Sequence, residues 1–254
     1  MRLKDKVALV TGGGSGIGQS CAIHFAAEGA KVVIWDVNME GAGETEKEIK
    51  ASGGTVKVAD VDVTDWDKVH AGVEDIVKEF GTVDILCACV GGGKFLPFPT
   101  ITPEAWDWEM KFNLTSAMNC THAVTGPMIQ QKSGKIILFT TGPGYAGHPN
   151  LAGYGAAKAG VCSMAESLTG ELAPHQIRIN VIGPGLTDTP LTRNAFAAWG
   201  EAGEQMYQEL IAKQPYGRAA IPSDIAKVAV FLATEESDWV CGQIIEVNGG
   251  AIAH

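Results

Sequence analysis

Residues 10–18 read "VTGGGSGIG" and join an apolar run to a helical pattern. The run before them, "KVALVTG" (6–12), is short and apolar, as is typical of a strand buried in a parallel sheet. The segment after them, "IGQSCAIHFAAEGA" (17–30), places Ile17, Cys21 and Phe25 on one helical face. Glycines at such a turn let a ligand approach the backbone, and the start of a helix attracts anions. We therefore predict a phosphate-binding turn formed by Gly12, Ser15, Gly16, Ile17 and Gly18; a purely structural tight turn is the alternative.

The same strand-then-helix alternation continues along the chain. Further strands are predicted in "KVVIWD" (31–36), "VKVADVDVTD" (56–65), "VDILCACVGGG" (83–93), "GKIILFTT" (134–141), "IRINVIGPG" (177–185) and "GQIIEVNGG" (242–250), with helical segments between them. One of these segments, 103–131, reads as a single long helix. Alternating strands and helices favour an α/β fold: one domain over 1–254, doubly wound, with a seven-stranded parallel sheet and helices on both faces. The irregular segment at about 188–218 follows a strand end, where substrate lids form.

Composition excludes several classes of function. The chain has 254 residues, 19 Lys and Arg against 29 Asp and Glu, and a formal charge of −10. A negative field repels nucleic-acid phosphates and anionic lipid, so neither partner is expected. The first residues hold too few apolar side chains for a signal peptide, and no run approaches a membrane span of about 18 residues. We expect a cytoplasmic protein.

The six cysteines show no CxxC spacing. Cys87 and Cys89 are two residues apart on a predicted strand and therefore share one face. No third or fourth ligand is close to them in the sequence, so no metal site is predicted, and reduced thiols are the favoured interpretation.

Acidic residues at strand ends indicate which dinucleotide the turn would bind. Asp36 ends the second predicted strand, 18 residues after Gly18. A carboxylate there accepts hydrogen bonds from ribose hydroxyls and repels a 2′-phosphate, so NAD is predicted over NADP. Asp62 and Val63, after the third strand, are candidates for the adenine contact. A solvated strand-end aspartate is the alternative for Asp36.

Tyr154 and Lys158 in "YGAAK" are four residues apart, hence on one face of a helix. A phenol titrates near 10, and acid/base work favours a pKa near the working pH. An adjacent ammonium lowers such a pKa. Tyr145 is followed four residues later by Pro149 and not by a lysine. It is therefore the weaker candidate for the acid/base and is suited to a pocket wall.

Together, "TGGGSGIG", Asp36, "YGAAK", "NVIGPGLTDT" and "GQIIEVNGG" resemble the short-chain dehydrogenase/reductase family over essentially the whole chain. The resemblance implies a Rossmann-type sheet, NAD(P)-dependent interconversion of alcohols and carbonyls, and a homotetramer. It assigns Tyr154 as the acid/base, Lys158 as the ribose-binding residue that lowers the tyrosine pKa, Asn113 as the holder of a relay water and Thr141 as the substrate-orienting hydroxyl. By the same resemblance, the remaining cofactor contacts are Gly91, Pro184, Gly185, Thr187 and Thr189.

Two positions depart from the family pattern. Thr141 stands where the family has serine. The threonine keeps the hydroxyl but adds a methyl group that narrows the pocket. Ala88-Cys89-Val90-Gly91 replaces Asn-Asn-Ala-Gly after the fourth strand, so side-chain contacts at 88 and 89 are in doubt.

The sequence therefore predicts an NAD-dependent oxidoreductase for a small secondary alcohol or ketone. Two alternatives stay open: a non-catalytic NAD(H)-binding sensor or scaffold, and an enoyl reductase, which "YGAAK" disfavours. An apolar substrate pocket is expected from Phe95, Tyr145, Leu186, Phe196, Trp199 and Met206. Lys94 and His148 are weaker candidates for contacting an acidic substrate group.

Overall fold

The computed structural model describes residues 1–141 and 149–251. Within them the strands are β1 (Val7–Thr11), β2 (Lys31–Trp35), β3 (Thr55–Ala59), β4 (Ile85–Ala88), β5 (Gly134–Phe139), β6 (Ile177–Pro184) and β7 (Ile244–Val247). They form one parallel sheet in the order β3-β2-β1-β4-β5-β6-β7. The strand order reverses between β1 and β4, and ligands bind at the carboxyl ends of strands at such a switch point. The predicted seven-stranded Rossmann-type sheet is confirmed.

The helices are α1 (Gly16–Ala27), α2 (Met39–Ala51), α3 (Trp66–Phe80), α4 (Pro103–Met110), α5 (Ser116–Gln131), α6 (Ala152–Leu172), α7 (Pro190–Ala197), α8 (Gly200–Ala212) and α9 (Pro222–Ala233). Several begin at polar caps, as the sequence dictates: Asn38 accepts from the N–H of Gly41, and Asp65 from that of Lys68. Gly81 ends α3 in the left-handed region at φ 82°.

The prediction of one regular helix over 103–131 was wrong in one respect. A π-helical turn, Lys111–Thr115, interrupts it between α4 and α5. Such turns occur most often at functional sites.

Apolar side chains on both sides of the sheet bury two cores. One core lies under α3, α5 and α6 and includes Trp35 and Leu86; the other lies under α1, α2 and α9 and includes Phe25 and Ile34. The inner strands β1, β2, β4, β5 and β6 are buried on both faces, which explains their mostly apolar sequences. Among the described residues, no helix has the length and apolar character needed to span a membrane.

Candidate active site

Tyr154 and Lys158 lie one turn apart on α6, as predicted, at the end of the sheet where β5 terminates. The Lys158 side chain is buried, and its Nζ donates to the carbonyl of Phe139, the last residue of β5, at 3.0 Å. That Nζ lies 5.8 Å from the centroid of the Tyr154 ring. The side chain of Thr141, two residues beyond β5, hydrogen-bonds the Tyr154 hydroxyl. The fold thus brings together the tyrosine, the lysine and the threonine.

Burial and two neighbouring groups act on the pKa of Tyr154. Burial raises the pKa of Tyr154 to about 12, the hydrogen bond from Thr141 acts in the lowering direction, and the negative charge of Glu109 raises the pKa further. Burial lowers the pKa of Lys158 to about 8. The lowering of the tyrosine pKa by Lys158 stays a prediction: its Nζ donates to the Phe139 carbonyl and lies on the same side of the helix as the tyrosine ring.

Asn113 lies in the π-helical turn and is buried. Its Oδ1 accepts from the N–H of Gly92 at 2.9 Å, and its Nδ2 donates to the Gly92 carbonyl at 2.9 Å. The same Nδ2 also reaches the carbonyl and Oε2 of Glu109, both at 3.1 Å. The amide therefore locks the loop after β4 to the helix bulge.

Glu109 is a site residue that the sequence reasoning missed. It is only 4% exposed, and its second oxygen, Oε1, accepts from the N–H of Lys94 at 2.8 Å. Burial raises the pKa of this carboxyl, against the lowering effect of the hydrogen bond from Lys94. Its position four residues before Asn113 was the available signal, since residues at that spacing share a helix face.

Glycines 91–93 let the chain pass between the catalytic side chains. A Cβ at Gly91 would lie 2.7 Å from the Lys158 Nζ and 2.9 Å from Asn113 Oδ1, and one at Gly93 would lie 2.9 Å from the Tyr154 ring. These contacts are closer than real Cβ atoms make, so a side chain at Gly91 would displace Lys158 or Asn113, and one at Gly93 would displace the Tyr154 ring.

The glycine turn that is predicted to bind phosphate lies at the start of α1. Gly12 and Gly16 have φ of 68° and 55°. A Cβ at Gly18 would lie 2.1 Å from the Gly12 carbonyl oxygen, which excludes any side chain there. Ser15 is the exposed N-cap and makes no side-chain cap bond, and Ile17 is half-buried. The bare backbone at a helix start fits the diphosphate of a dinucleotide.

Asp36 stands at the carboxyl end of β2 beside this turn. Its Oδ2 accepts from the N–H of Gly14 and its Oδ1 from that of Asn38, both at 2.8 Å. These bonds fix the half-buried carboxylate beside the glycine turn.

Asp62 and Val63 follow β3 in the chain. Asp62 Oδ1 accepts from the N–H and the hydroxyl of Thr64, at 2.9 and 2.8 Å, and the first of these bonds holds the pKa of Asp62 below its usual value. Val63 is buried, and its carbonyl accepts from Asn119 at 3.0 Å.

The segment at the end of β6, residues 184–189, lies against the glycine turn. The Thr189 hydroxyl caps α7 by accepting a hydrogen bond from the Thr192 N–H. The Thr189 side chain lies 3.3 Å from the position that a Cβ on Gly16 would occupy. Thr187 pairs with Ala220 in an isolated bridge, and its hydroxyl bonds the Gly185 carbonyl at 2.9 Å. Pro184 is the last residue of β6. This places the predicted 184–189 contacts beside the predicted phosphate site.

The predicted lid contains α7 and α8, and parts of it reach the loop after β4. The rings of Phe95 and Trp199 meet edge to face at 5.6 Å. Phe196 instead packs on Tyr207 within the lid, while Met206 is exposed and Leu186 half-buried.

The weaker predictions concern Lys94 and His148, as contacts for an acidic substrate group, and Tyr145, as a pocket wall. The Lys94 Nζ lies 4.2 Å from the centroid of the Trp108 ring. Tyr145 and His148 lie outside the described residues.

The expectation that no third possible ligand lies near Cys87 and Cys89 was wrong. Cys21 on α1 provides a third thiol beside Cys87 and Cys89, and the three sulfur atoms lie within 4.8 Å of one another. Sequence distance concealed this neighbour, because α1 reaches β4 only in the folded sheet.

Comparison with known proteins agrees with this geometry. The family model described as short chain dehydrogenase matches residues 6–199. A 3-oxoacyl-[acyl-carrier-protein] reductase of Thermotoga maritima is 34% identical over 99% of this chain and 100% of its own length. The BbsD subunit of (2S)-[(R)-hydroxy(phenyl)methyl]succinyl-CoA dehydrogenase of Thauera aromatica is 35% identical, covering 98% of both chains.

Solved structures agree equally well. The crystal structure of levodione reductase superposes with a TM-score of 0.95 at 31% identity, covering 100% of both chains. The crystal structure of gox2181 gives a TM-score of 0.92 at 33% identity, covering 98% of this chain and 96% of that one. The family match, these full-length relatives and the geometry around Tyr154 lead to one conclusion: the chain belongs to the short-chain dehydrogenase family of oxidoreductases.

Proposed function

We propose that this oxidoreductase interconverts a secondary alcohol and a ketone by hydride transfer, with NAD as cofactor and Tyr154 as the acid/base. The observation that carries the proposal is the convergence on Tyr154. Thr141 bonds its hydroxyl, Lys158 lies on the same helix face, and Asn113 ties the glycine loop against both.

The preference for NAD over NADP rests on Asp36. Its carboxylate is fixed beside the glycine turn by the N–H groups of Gly14 and Asn38. Neither residues 12–18 nor 36–39 contain a basic side chain that could neutralise a 2′-phosphate. The ribose and diphosphate would be held by Asp36 and the start of α1, and the nicotinamide end by residues 184–189 and Lys158.

A bound oxidised dinucleotide would supply the hydride acceptor and a positive ring charge that favours the phenolate of Tyr154. In alcohol oxidation, Tyr154 takes the proton of the substrate hydroxyl. The Thr141 hydroxyl, which has one proton to donate, would turn from Tyr154 to the same substrate oxygen and stabilise its developing charge. Lys158 remains anchored on the Phe139 carbonyl. A relay water at Asn113 would have to be held by its main chain, because Gly92 and Glu109 engage the side-chain amide.

The substrate would enter between the loop after β4 and the lid. The Phe95–Trp199 contact gives this entrance an aromatic wall, which favours cyclic or aryl secondary alcohols over short aliphatic ones. Relatives named as reductases and as a dehydrogenase, one acting on a phenyl-bearing substrate, are compatible with either direction.

The test is product formation by the purified chain over cyclic, aryl and small aliphatic secondary alcohols, with NAD⁺ and NADP⁺ in parallel. We expect NADH and the matching ketone with at least one cyclic or aryl alcohol, and weaker turnover with NADP⁺. NADH binding without turnover on any alcohol or ketone would instead support a sensor or scaffold. Reduction of a C=C bond would support an enoyl reductase.

We also propose a homotetramer in the cytoplasm. Exposed tryptophans support an assembly: Trp239 is 98% exposed, and Trp106 and Trp108 on α4 are each 37% exposed. The cysteines of the chain are free thiols, as expected in a reducing compartment. Sedimentation equilibrium tests the assembly, and a monomeric mass would contradict it.

A further inference from the structure

A cluster of three thiols lies next to the glycine turn (residues 12–18) and takes no part in the proposed reaction. Cys21 comes from α1, Cys87 from β4, and Cys89 from the residue just past β4. All three sulfurs lie within 4.8 Å of one another, and those of Cys87 and Cys89 are 3.5 Å apart. We propose that Cys21, Cys87 and Cys89 form a site for one soft, thiophilic metal ion held by three thiolates.

The distances suit such an ion. Three sulfurs bound to one ion at metal–sulfur distances of about 2.3 Å lie roughly 4 Å apart. The thiols therefore need shifts of only about 1 Å to close around a metal. Two neighbouring positions of the sheet and one helix supply them, so the fold fixes their direction.

The chemistry of the donors selects the class of ion. Thiolates prefer soft metals. Within 1–141 and 149–251, no imidazole or carboxylate completes the cluster. His24, on the same helix as Cys21, directs its Nδ1 to the Ser20 carbonyl at 2.8 Å. A soft ion that is satisfied by three sulfur ligands therefore fits better than one that requires four protein ligands.

Binding would change the charge of the cluster. A metal ion would displace the thiol protons, since thiolates are the ligands. The buried Lys158 ammonium interacts electrostatically with Cys89 and would offset part of the excess negative charge.

The site adjoins the place where the dinucleotide would bind. A Cβ at Gly12 would lie 3.4 Å from the N of Val90 and 3.5 Å from the carbonyl carbon of Cys89. Drawing Cys89 toward a metal would move the strand end on which the glycine turn rests. The metal and the dinucleotide should therefore weaken each other's binding, and by linkage by the same factor.

The first test is a titration of the reduced full-length protein with Cd²⁺, following the ultraviolet cadmium–thiolate band, with X-ray absorption to count the sulfur ligands. We expect one equivalent bound by three sulfurs. Losing a residue that only hydrogen-bonds a metal ligand typically weakens metal binding about 10–100-fold. Replacing a ligand, in Cys21→Ala, Cys87→Ala or Cys89→Ala, should weaken it at least tenfold.

The matched control is Cys120→Ala, which removes a buried thiol from α5 in the other core and should bind Cd²⁺ as the wild type does. Cys89→Ala keeps the test decisive if the two fully buried variants misfold, because Cys89 is half-buried. Absence of the thiolate band in the wild type, or undiminished binding by Cys89→Ala, would overturn the site.

The second test measures Cd²⁺ affinity with and without saturating NADH, and needs no substrate. We expect weaker Cd²⁺ binding with NADH, and release of NADH on adding Cd²⁺, reversed by a chelator. Equal Cd²⁺ affinity in both conditions would refute the coupling. Neither result depends on turnover, so failure of this proposal is distinguishable from failure of the proposed dehydrogenase activity.

Discussion

Glu109 places a buried negative charge close to the proposed acid/base. Its oxygens hold the Lys94 N–H and the Asn113 amide, and its charge raises the pKa of both Tyr154 and Lys158. Glu109→Gln removes the charge but keeps the shape. The pKa of Tyr154 should then fall, so more phenolate forms at a given pH and the alkaline rise in alcohol oxidation moves to lower pH.

The pH profile of kcat/KM checks this expectation. Asp107→Asn, an exposed acid on the same helix, is the control and should leave the profile in place. A shift of the Glu109→Gln profile to higher pH, or no shift with unchanged KM, would contradict the electrostatic role.

Asp36 is the residue on which the cofactor preference depends. Asp36→Asn keeps an acceptor for one neighbouring N–H but removes the charge. Hydrogen bonds to charged groups contribute about 1.5–3 kcal/mol, so NAD⁺ should bind roughly 10–100-fold more weakly. Binding of NADP⁺ should fall less or improve, because the repulsion of the 2′-phosphate is gone.

Calorimetric titration of both dinucleotides measures the change in preference. Asp60→Asn, at an exposed position after β3, should leave it untouched. An unchanged ratio of NAD⁺ to NADP⁺ affinity in Asp36→Asn would show that specificity lies elsewhere.

The strand-to-helix turn before α1 is the element that sets the phosphate site. Gly18→Ala would place a Cβ 2.1 Å from the Gly12 carbonyl oxygen, so the turn must open and dinucleotide binding should be lost. Gly43→Ala, in α2 with no neighbour within 4 Å of the added Cβ, should keep binding and gain about 0.5–1 kcal/mol of stability. NADH fluorescence titration and urea unfolding measure the two effects, and retained NADH affinity in Gly18→Ala would contradict this account of the turn.

The elements differ in how far their sequences predict them. Strands such as β1 and β5 are continuous apolar runs, so their existence follows from the sequence. The π-helical turn at 111–115 could not be predicted, because "KFNLT" has the spacing of an ordinary helix and the bulge depends on the tertiary bonds of Asn113 to Gly92. Cys21 was missed for the same reason, because Cys87 and Cys89 are distant from it in sequence. Glu109 was missed although its spacing to Asn113 was visible, because its bond to the Lys94 N–H depends on the path of the loop after β4.

At the scale of the whole molecule, stability rests on the two cores that cover the sheet. Leu86 in β4 is fully buried at the centre of the sheet. Leu86→Ala should lower the free energy of unfolding by about 2–5 kcal/mol through lost burial and a residual cavity. Leu191→Ala, at a 59% exposed position on α7, should change it by less than about 0.5 kcal/mol. Urea unfolding compares the two, and equal losses would contradict this division between core and surface.

Proton transfer by Tyr154 is tested by comparing the wild type with Tyr154→Phe, with kcat/KM for alcohol oxidation and NADH affinity both recorded. Acid/base catalysis typically contributes about 10²–10⁴-fold, so kcat/KM should fall by that factor while NADH binds as before. Tyr216→Phe, at a 69% exposed position, should retain full activity. Undiminished turnover in Tyr154→Phe would show that another group transfers the proton, and the proposed mechanism would be wrong.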